Sequence, residues 1–169
     1  FKTLGVGGCI SPNGMVEHNG IVYWMGAKNF YKYDGNIQIM PCDVRSYVFD
    51  NLNVLQSYKV YAWVNTDWNE IWWFYQDNSG TECNRYVCYD YQQKIWHYGS
   101  RAMTAGMDRG VVSNNPIATG ANGYVYSLES RMDEDGVAML STYTTGSPQD
   151  HNRYSYIKKN SKQCILLFI

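Results

Sequence analysis

The sequence predicts an all-β chain of short antiparallel strands arranged as consecutive meanders. Three observations lead there. Aromatic residues make up 16% of the 169 residues, with 16 Tyr and 6 Trp, while charged residues make up 17%. Rings in that proportion suit pleated, half-buried strands, and the charge content is below that of an average globular domain. Apolar residues also alternate with a period of two in short runs bounded by Gly, Asn and Asp. Finally, the strand phrases return at a regular interval: strand starts at Ile21, Ile71 and Tyr124 are 50 and 53 residues apart.

The first repeat opens with "IVYWM" (Ile21 to Met25), a connection holding Gly26 and Asn29, and "FYKYDG" (Phe30 to Gly35), which together read as a β-hairpin. "NIQIM" (Asn36 to Met40) follows the turn signal Asp34-Gly35. "CDVRSYVFDNLNVLQ" (Cys42 to Gln56) then breaks the pattern. Val44, Val48, Leu52 and Leu55 stand at helical spacing after Pro41, so a short amphipathic helix is expected. The second repeat runs from "EIWWFY" (Glu70 to Tyr75) through a polar loop to "RYVCYDY" (Arg85 to Tyr91). A turn at Gln92 to Lys94 leads on to "IWHYG". Ile71, Trp73 and Tyr75 point to one face of the first strand, and Trp72 and Phe74 to the other. A strand that is apolar on both faces needs a layer on each side. The third repeat reads "GYVYSLES" (Gly123 to Ser130), "RMDEDG", and "VAMLSTY" (Val137 to Tyr143).

A period near ~50 residues is characteristic of β-propellers, whose small twisted sheets stack because none buries both faces alone. The expectation is therefore propeller blades, each a four-stranded antiparallel meander, over residues 1–143, with one short helix. Trp24, Trp72, Trp73, Tyr89 and Trp96 are expected to pack between blades. Residues 144–169 are expected to form a loop and terminal strands leading to or from the rest of a longer chain. A closed propeller usually needs roughly four to eight blades, and about three are legible. The opening "FKTLGVGG" also lacks an initiator Met and a leader pattern. Both points suggest a fragment of a larger propeller.

The net charge of −1 argues against a strongly basic surface for gripping phosphates, though not against weak contact with DNA. No apolar run reaches the ~18 residues of a membrane-spanning helix. The five cysteines (Cys9, Cys42, Cys83, Cys88 and Cys164) are odd in number and contain no CxxC. They read as ordinary thiols, mostly packed as small hydrophobes, in a reducing compartment.

Catalytic signals are sparse. His18, His97 and His151 are far apart and read as structural or surface residues. No nucleophile elbow, P-loop or zinc-protease motif occurs, and "GVGG" reads as a turn. Asp133, Glu134 and Asp135 lack the later ligands of a calcium loop and read as a polar hairpin tip. Asp50, Asp67, Glu70 and Glu129 are the carboxylates from which a glycosidase pair would have to be drawn. No residue is assigned to catalysis, and no cofactor or metal is implied.

Several phrases in fixed order add a resemblance. They are "GVGGCISPNGMVEHNGIVYWMGAKNFYKYDG", "EIWWFYQDNSG", "NRYVCYDYQQKIWHYGSR" and "PIATGANGYVYSLESRMDEDG". Over about residues 5 to 136 the chain resembles the propeller region of tail hub, stabilisation or nozzle proteins of short-tailed bacteriophages. It departs from the family pattern at Gln76-Asp77, where Pro-Ser is expected, and at Leu128, where His is expected. The resemblance implies a non-enzymatic virion protein, assembled in the host cytoplasm into a ring, commonly a hexamer. Its partners would be the portal, adaptor and other tail proteins, with genomic DNA passing through without tight binding. Two other readings fit the composition: a carbohydrate-binding or glycoside-cleaving propeller for host attachment, and a kelch-like cellular adaptor.

Overall fold

The computed structural model describes residues 7–111, 113–130, 133–134 and 137–138. The chain is all-β with short helical insertions. Strands β1 (Met15–His18), β2 (Ile21–Met25), β3 (Phe30–Tyr33) and β4 (Ile37–Met40) form a four-stranded antiparallel sheet in chain order. Strands β5 (Tyr61–Asn65), β6 (Glu70–Tyr75), β7 (Arg85–Asp90) and β8 (Ile95–Ser100) form a second sheet of the same design. A third, of three strands, contains β9 (Met103–Met107), β10 (Ile117–Gly120) and β11 (Val125–Ser127). These sheets belong to one compact unit that extends to Glu129. A second unit starts at Ser130, and its described part is the antiparallel pair β12 (Asp133–Glu134) and β13 (Val137–Ala138). The acidic cluster thus contributes Asp133 and Glu134 to a strand. The reading of 144–169 as loop and terminal strands lies outside the described residues.

Turn chemistry fixes the meanders. Asn19 and Gly20 both take positive φ, 52° and 77°, between β1 and β2, the backbone of a two-residue hairpin turn that Asn-Gly favours. The β2–β3 connection closes with the Gly26 N–H donating to the Asn29 carbonyl at 2.9 Å. A Cβ on Gly26 would stand 2.6 Å from the Tyr31 ring and 3.1 Å from the Gly8 carbonyl oxygen. Between β7 and β8 the Asp90 carboxylate accepts the Gln92 and Gln93 N–H groups at 2.8 and 2.7 Å.

The sheets stack through their apolar faces. Tyr23, Met25, Phe30 and Met40 of the first sheet meet Val64, Ile71, Trp73, Tyr75, Val87 and Trp96 of the second in one core cluster. The opposite face of the second sheet, with Tyr61, Trp63 and Phe74, meets Met103, Ala118 and Leu128 in a second cluster. Strand β6 therefore divides its side chains as the alternation predicts. Ile71, Trp73 and Tyr75 enter the first core, while Phe74 and the partly buried Trp72 enter the second.

The first strands of the three sheets lie side by side: β1 runs close to β5, and β5 to β9. Among the described residues no other strands of different sheets approach over a comparable length. Asn13, just before β1, forms a parallel bridge to Tyr61, and the Ala62 N–H donates to the Asn13 carbonyl at 2.8 Å. The leading strands of the first two sheets thus share a direction and nearly join.

Two sequence expectations need correction. The helix is shorter than 42–56: α1 spans Arg45–Asp50, and a 3-10 helix follows at Val54–Lys59. Val48 and Leu52 are buried, but Leu55 is 87% exposed. The chain leaves the helix because its backbone pairs with the end of β6. Leu52 bridges Asp77, and the Asn53 N–H donates to the Gln76 carbonyl at 2.9 Å. The third repeat also begins one strand earlier than the sequence spacing predicts. Ile21 and Glu70 start the second strands of their sheets, and the equivalent start is Ile117, not Tyr124. The spacings become 49 residues (21 to 70) and 47 residues (70 to 117).

Candidate functional site

The ring-rich stretch that dominates the sequence is mainly interior. Trp73 is fully buried, with ring centroids 5.0 Å from Phe30 and 6.0 Å from Trp96, and its Nε1–H donates to the Gly14 carbonyl at 3.1 Å. Trp96 packs 4.7 Å from both Phe30 and Tyr89 and donates to the Pro41 carbonyl at 2.7 Å. Tyr89 is half-buried against the same core. Trp72 is half-buried in the second core, 4.6 Å from Tyr86, and donates to Glu70 Oε2 at 2.8 Å. Trp24 differs from these four. It lies on the face of the first sheet turned away from the core, stacked 5.4 Å from Tyr31 and donating to the Gly7 carbonyl at 2.7 Å.

That outer face is the first candidate surface. Register places Met15, Val22, Trp24, Tyr31, Tyr33, Ile37 and Ile39 together on it. Met15 is 51% exposed and Ile39 61%. A shallow apolar cleft of about 300 Å³ lies there, floored by Val22, Trp24 and Tyr33. The outer face of the third sheet is similar in kind, with Met107, Ile117 and Val125 on one side of the register and Met107 and Val125 mostly exposed. Both ends of the stack thus carry exposed apolar side chains, beside the already buried Trp24 and the polar Glu17 on the first sheet and the polar Thr119 and Ser127 on the third. Scattered exposed hydrophobics are ordinary, whereas contiguous ones on a flat sheet face mark a contact surface.

The candidate carboxylates differ in their surroundings. Glu129, at φ 56°, accepts from Asn65 Nδ2 at 2.6 Å and from Trp68 Nε1 at 2.7 Å. Asp67 pairs with Arg109 at 2.6 Å. Burial raises the Glu70 carboxyl above its usual range, its bond from Trp72 opposes this, and Glu129 adds a smaller upward push. Asp50 ends α1 in solvent. Glu129 ties the β5–β6 turn to the segment after β11, and Asp67 ties it to the segment after β9.

His18 rests on Tyr91 at 4.9 Å, and His97 is exposed on β8. Among the described residues no three His, Cys, Asp or Glu side chains converge as metal ligands, and no helix is long and apolar enough to cross a membrane. The four described cysteines are free thiols. Burial pushes Cys42 up to about 11 and Cys83 to about 12, and raises Cys88 further still.

Sequence reasoning passed over β1, β5 and β9, the strands by which the sheets adjoin. Asn19-Gly20 signalled the first of them, and the alternation in "YAWVN" the second. Comparison with protein-family models finds no match to this chain, and comparison with curated proteins finds none either.

Proposed function

We propose that the three stacked sheets are consecutive blades of a β-propeller, and that the propeller is a structural ring subunit of a short-tailed phage tail. The observation that carries the blade reading is the side-by-side run of β1, β5 and β9. Meanders that meet along their leading strands and pack face to face are the arrangement of blades around an axis. α1 and the segment after it supply Val48 and Leu52 to the core between the first two sheets, as a filler does where blades diverge. The exposed apolar side chains on the outer faces of the first and third sheets suit further blades on either side.

The tail role rests on the ordered sequence phrases and on the character of the surface. Large, nearly neutral faces rich in Tyr, Trp and Met are suited to subunit contacts. The role is structural rather than enzymatic. In a ring below the portal, such subunits extend the DNA conduit, and a low net charge lets DNA pass without being held.

The test is the native mass of the full-length parent protein by light scattering, alone and with portal and adaptor proteins. A closed oligomer, commonly sixfold, is expected. A strict monomer in the presence of those partners would overturn the tail reading and leave the propeller reading to be judged separately.

A further inference from the structure

We infer that a polar cleft between α1 and the β6–β7 loop is a subsite for a neutral saccharide, a reading independent of the propeller and the ring. The cleft has a volume of about 300 Å³ and is lined chiefly by Tyr47, Asn51, Tyr75, Asp77, Asn78 and Arg85, at the small end of the range for ligand pockets.

Its polar groups are held in place. Asp77 Oδ1 accepts three bonds, from the Ser79 N–H at 3.0 Å, Ser79 Oγ at 2.6 Å and Asn84 Nδ2 at 2.9 Å. Oδ2 accepts one, from Arg85 Nε at 2.8 Å, so it retains an acceptor site. Arg85 also donates through Nη1 to Ser100 Oγ. These two bonds engage two of the five N–H donors of the guanidinium. Carboxylate and guanidinium cancel in charge, which disfavours a strongly ionic ligand and leaves one acceptor beside one donor. Two neighbouring hydroxyls of a pyranose match that pair, since each hydroxyl both donates and accepts.

The second observation is the Tyr75 hydroxyl. Tyr75 is 0% exposed, and its oxygen is buried without a hydrogen-bond partner. Tyr75 is itself among the residues that line the cleft, with Tyr47, Asp77 and Arg85. An orphaned buried hydroxyl is costly unless something completes it. The third is aromatic. Tyr47 packs 4.2 Å from Tyr98, and the two are 37% and 48% exposed. They offer a ring surface beside the polar edge, as the C–H face of a pyranose requires.

The experiment is a saturation-transfer NMR titration of the full chain with glucose, galactose, N-acetylglucosamine and their β-linked dimers. Saturable binding of at least one probe is expected. Tyr75→Phe, which keeps the ring, should weaken it about fivefold, the loss of one net hydrogen bond, without lowering the thermal midpoint. Tyr47→Ala should weaken it at least as much. No saturable binding by any probe up to about 10 mM, in the weakest affinity range worth assigning, overturns the inference. So does binding that both variants leave unchanged.

Discussion

Replacing Trp73 with Ala should remove most of the stability of the stacked sheets. The indole is completely enclosed between the first and second sheets and touches Phe30 and Trp96. Truncating a buried Trp or Phe to Ala costs about 3–5 kcal/mol in transfer and cavity terms. The variant also removes one of two donors to the Gly14 carbonyl, which keeps the Met25 N–H at 3.1 Å, so no acceptor is orphaned. The loss should therefore stay within about 3–5 kcal/mol, set by the transfer and cavity terms. A domain of this kind has about 5–15 kcal/mol in total, so the variant stands close to its folding limit. Trp73→Phe is the companion that keeps a ring in place, with an expected loss of roughly 2 kcal/mol. Trp72→Ala, on the half-buried side of the same strand, should cost about half as much as Trp73→Ala. Urea denaturation followed by tryptophan fluorescence and far-UV circular dichroism reads all three. A Trp73→Ala loss below about 1 kcal/mol, or a larger loss for Trp72→Ala, would refute the assignment of the two faces.

Gly26→Ala should destabilise by about 1–3 kcal/mol, because the added methyl meets Tyr31 and the Gly8 and Asn29 carbonyls; thermal denaturation checks it. Hydrogen bonds from Asn84, Ser79 and Arg85 hold the Asp77 carboxyl well below the usual carboxylate range. Its contribution is therefore present above the unfolded value near about pH 4 and is lost as pH falls through the folded value. Asp77→Asn should lower stability at neutral pH and flatten its decline in acid, as measured by urea midpoints across pH. Burial keeps Cys42, Cys83 and Cys88 protonated at pH 8, while Cys9 is exposed. Of these four, only Cys9 should react with a thiol reagent before unfolding. Ile39→Asp on the outer face of the first sheet should leave the unfolding free energy within about 0.5 kcal/mol of wild type yet impair assembly of the parent protein, read by light scattering.

The second sheet was legible because its signals are strong and local. "EIWWFY" is apolar on both faces, and that pattern fits only a strand between two layers. Its bounds, Glu70 to Tyr75, match the structure. The helix was overrun for a reason that sequence spacing does not carry. Val44, Val48, Leu52 and Leu55 keep helical period, but the pairing of Leu52 with Asp77 is a tertiary event that ends the helix at Asp50. The third sheet was misaligned because β10, "IATG", offers two apolar residues, whereas Tyr124, Val125 and Tyr126 stand out more strongly. The polar cleft was not legible at all. Its parts come from α1 and the loop after β6, about thirty positions apart, and the orphaned Tyr75 hydroxyl exists only once the two elements pack.

The most direct test of the account is an electron cryomicroscopy reconstruction of the full-length parent protein, resolved well enough to trace β1, β5 and β9. The account predicts that these strands line one axis, and that a further β-meander covers Met15 and Ile39 on one side and Met107 and Val125 on the other. A reconstruction in which those faces stand in solvent, with the leading strands around no common axis, would contradict it.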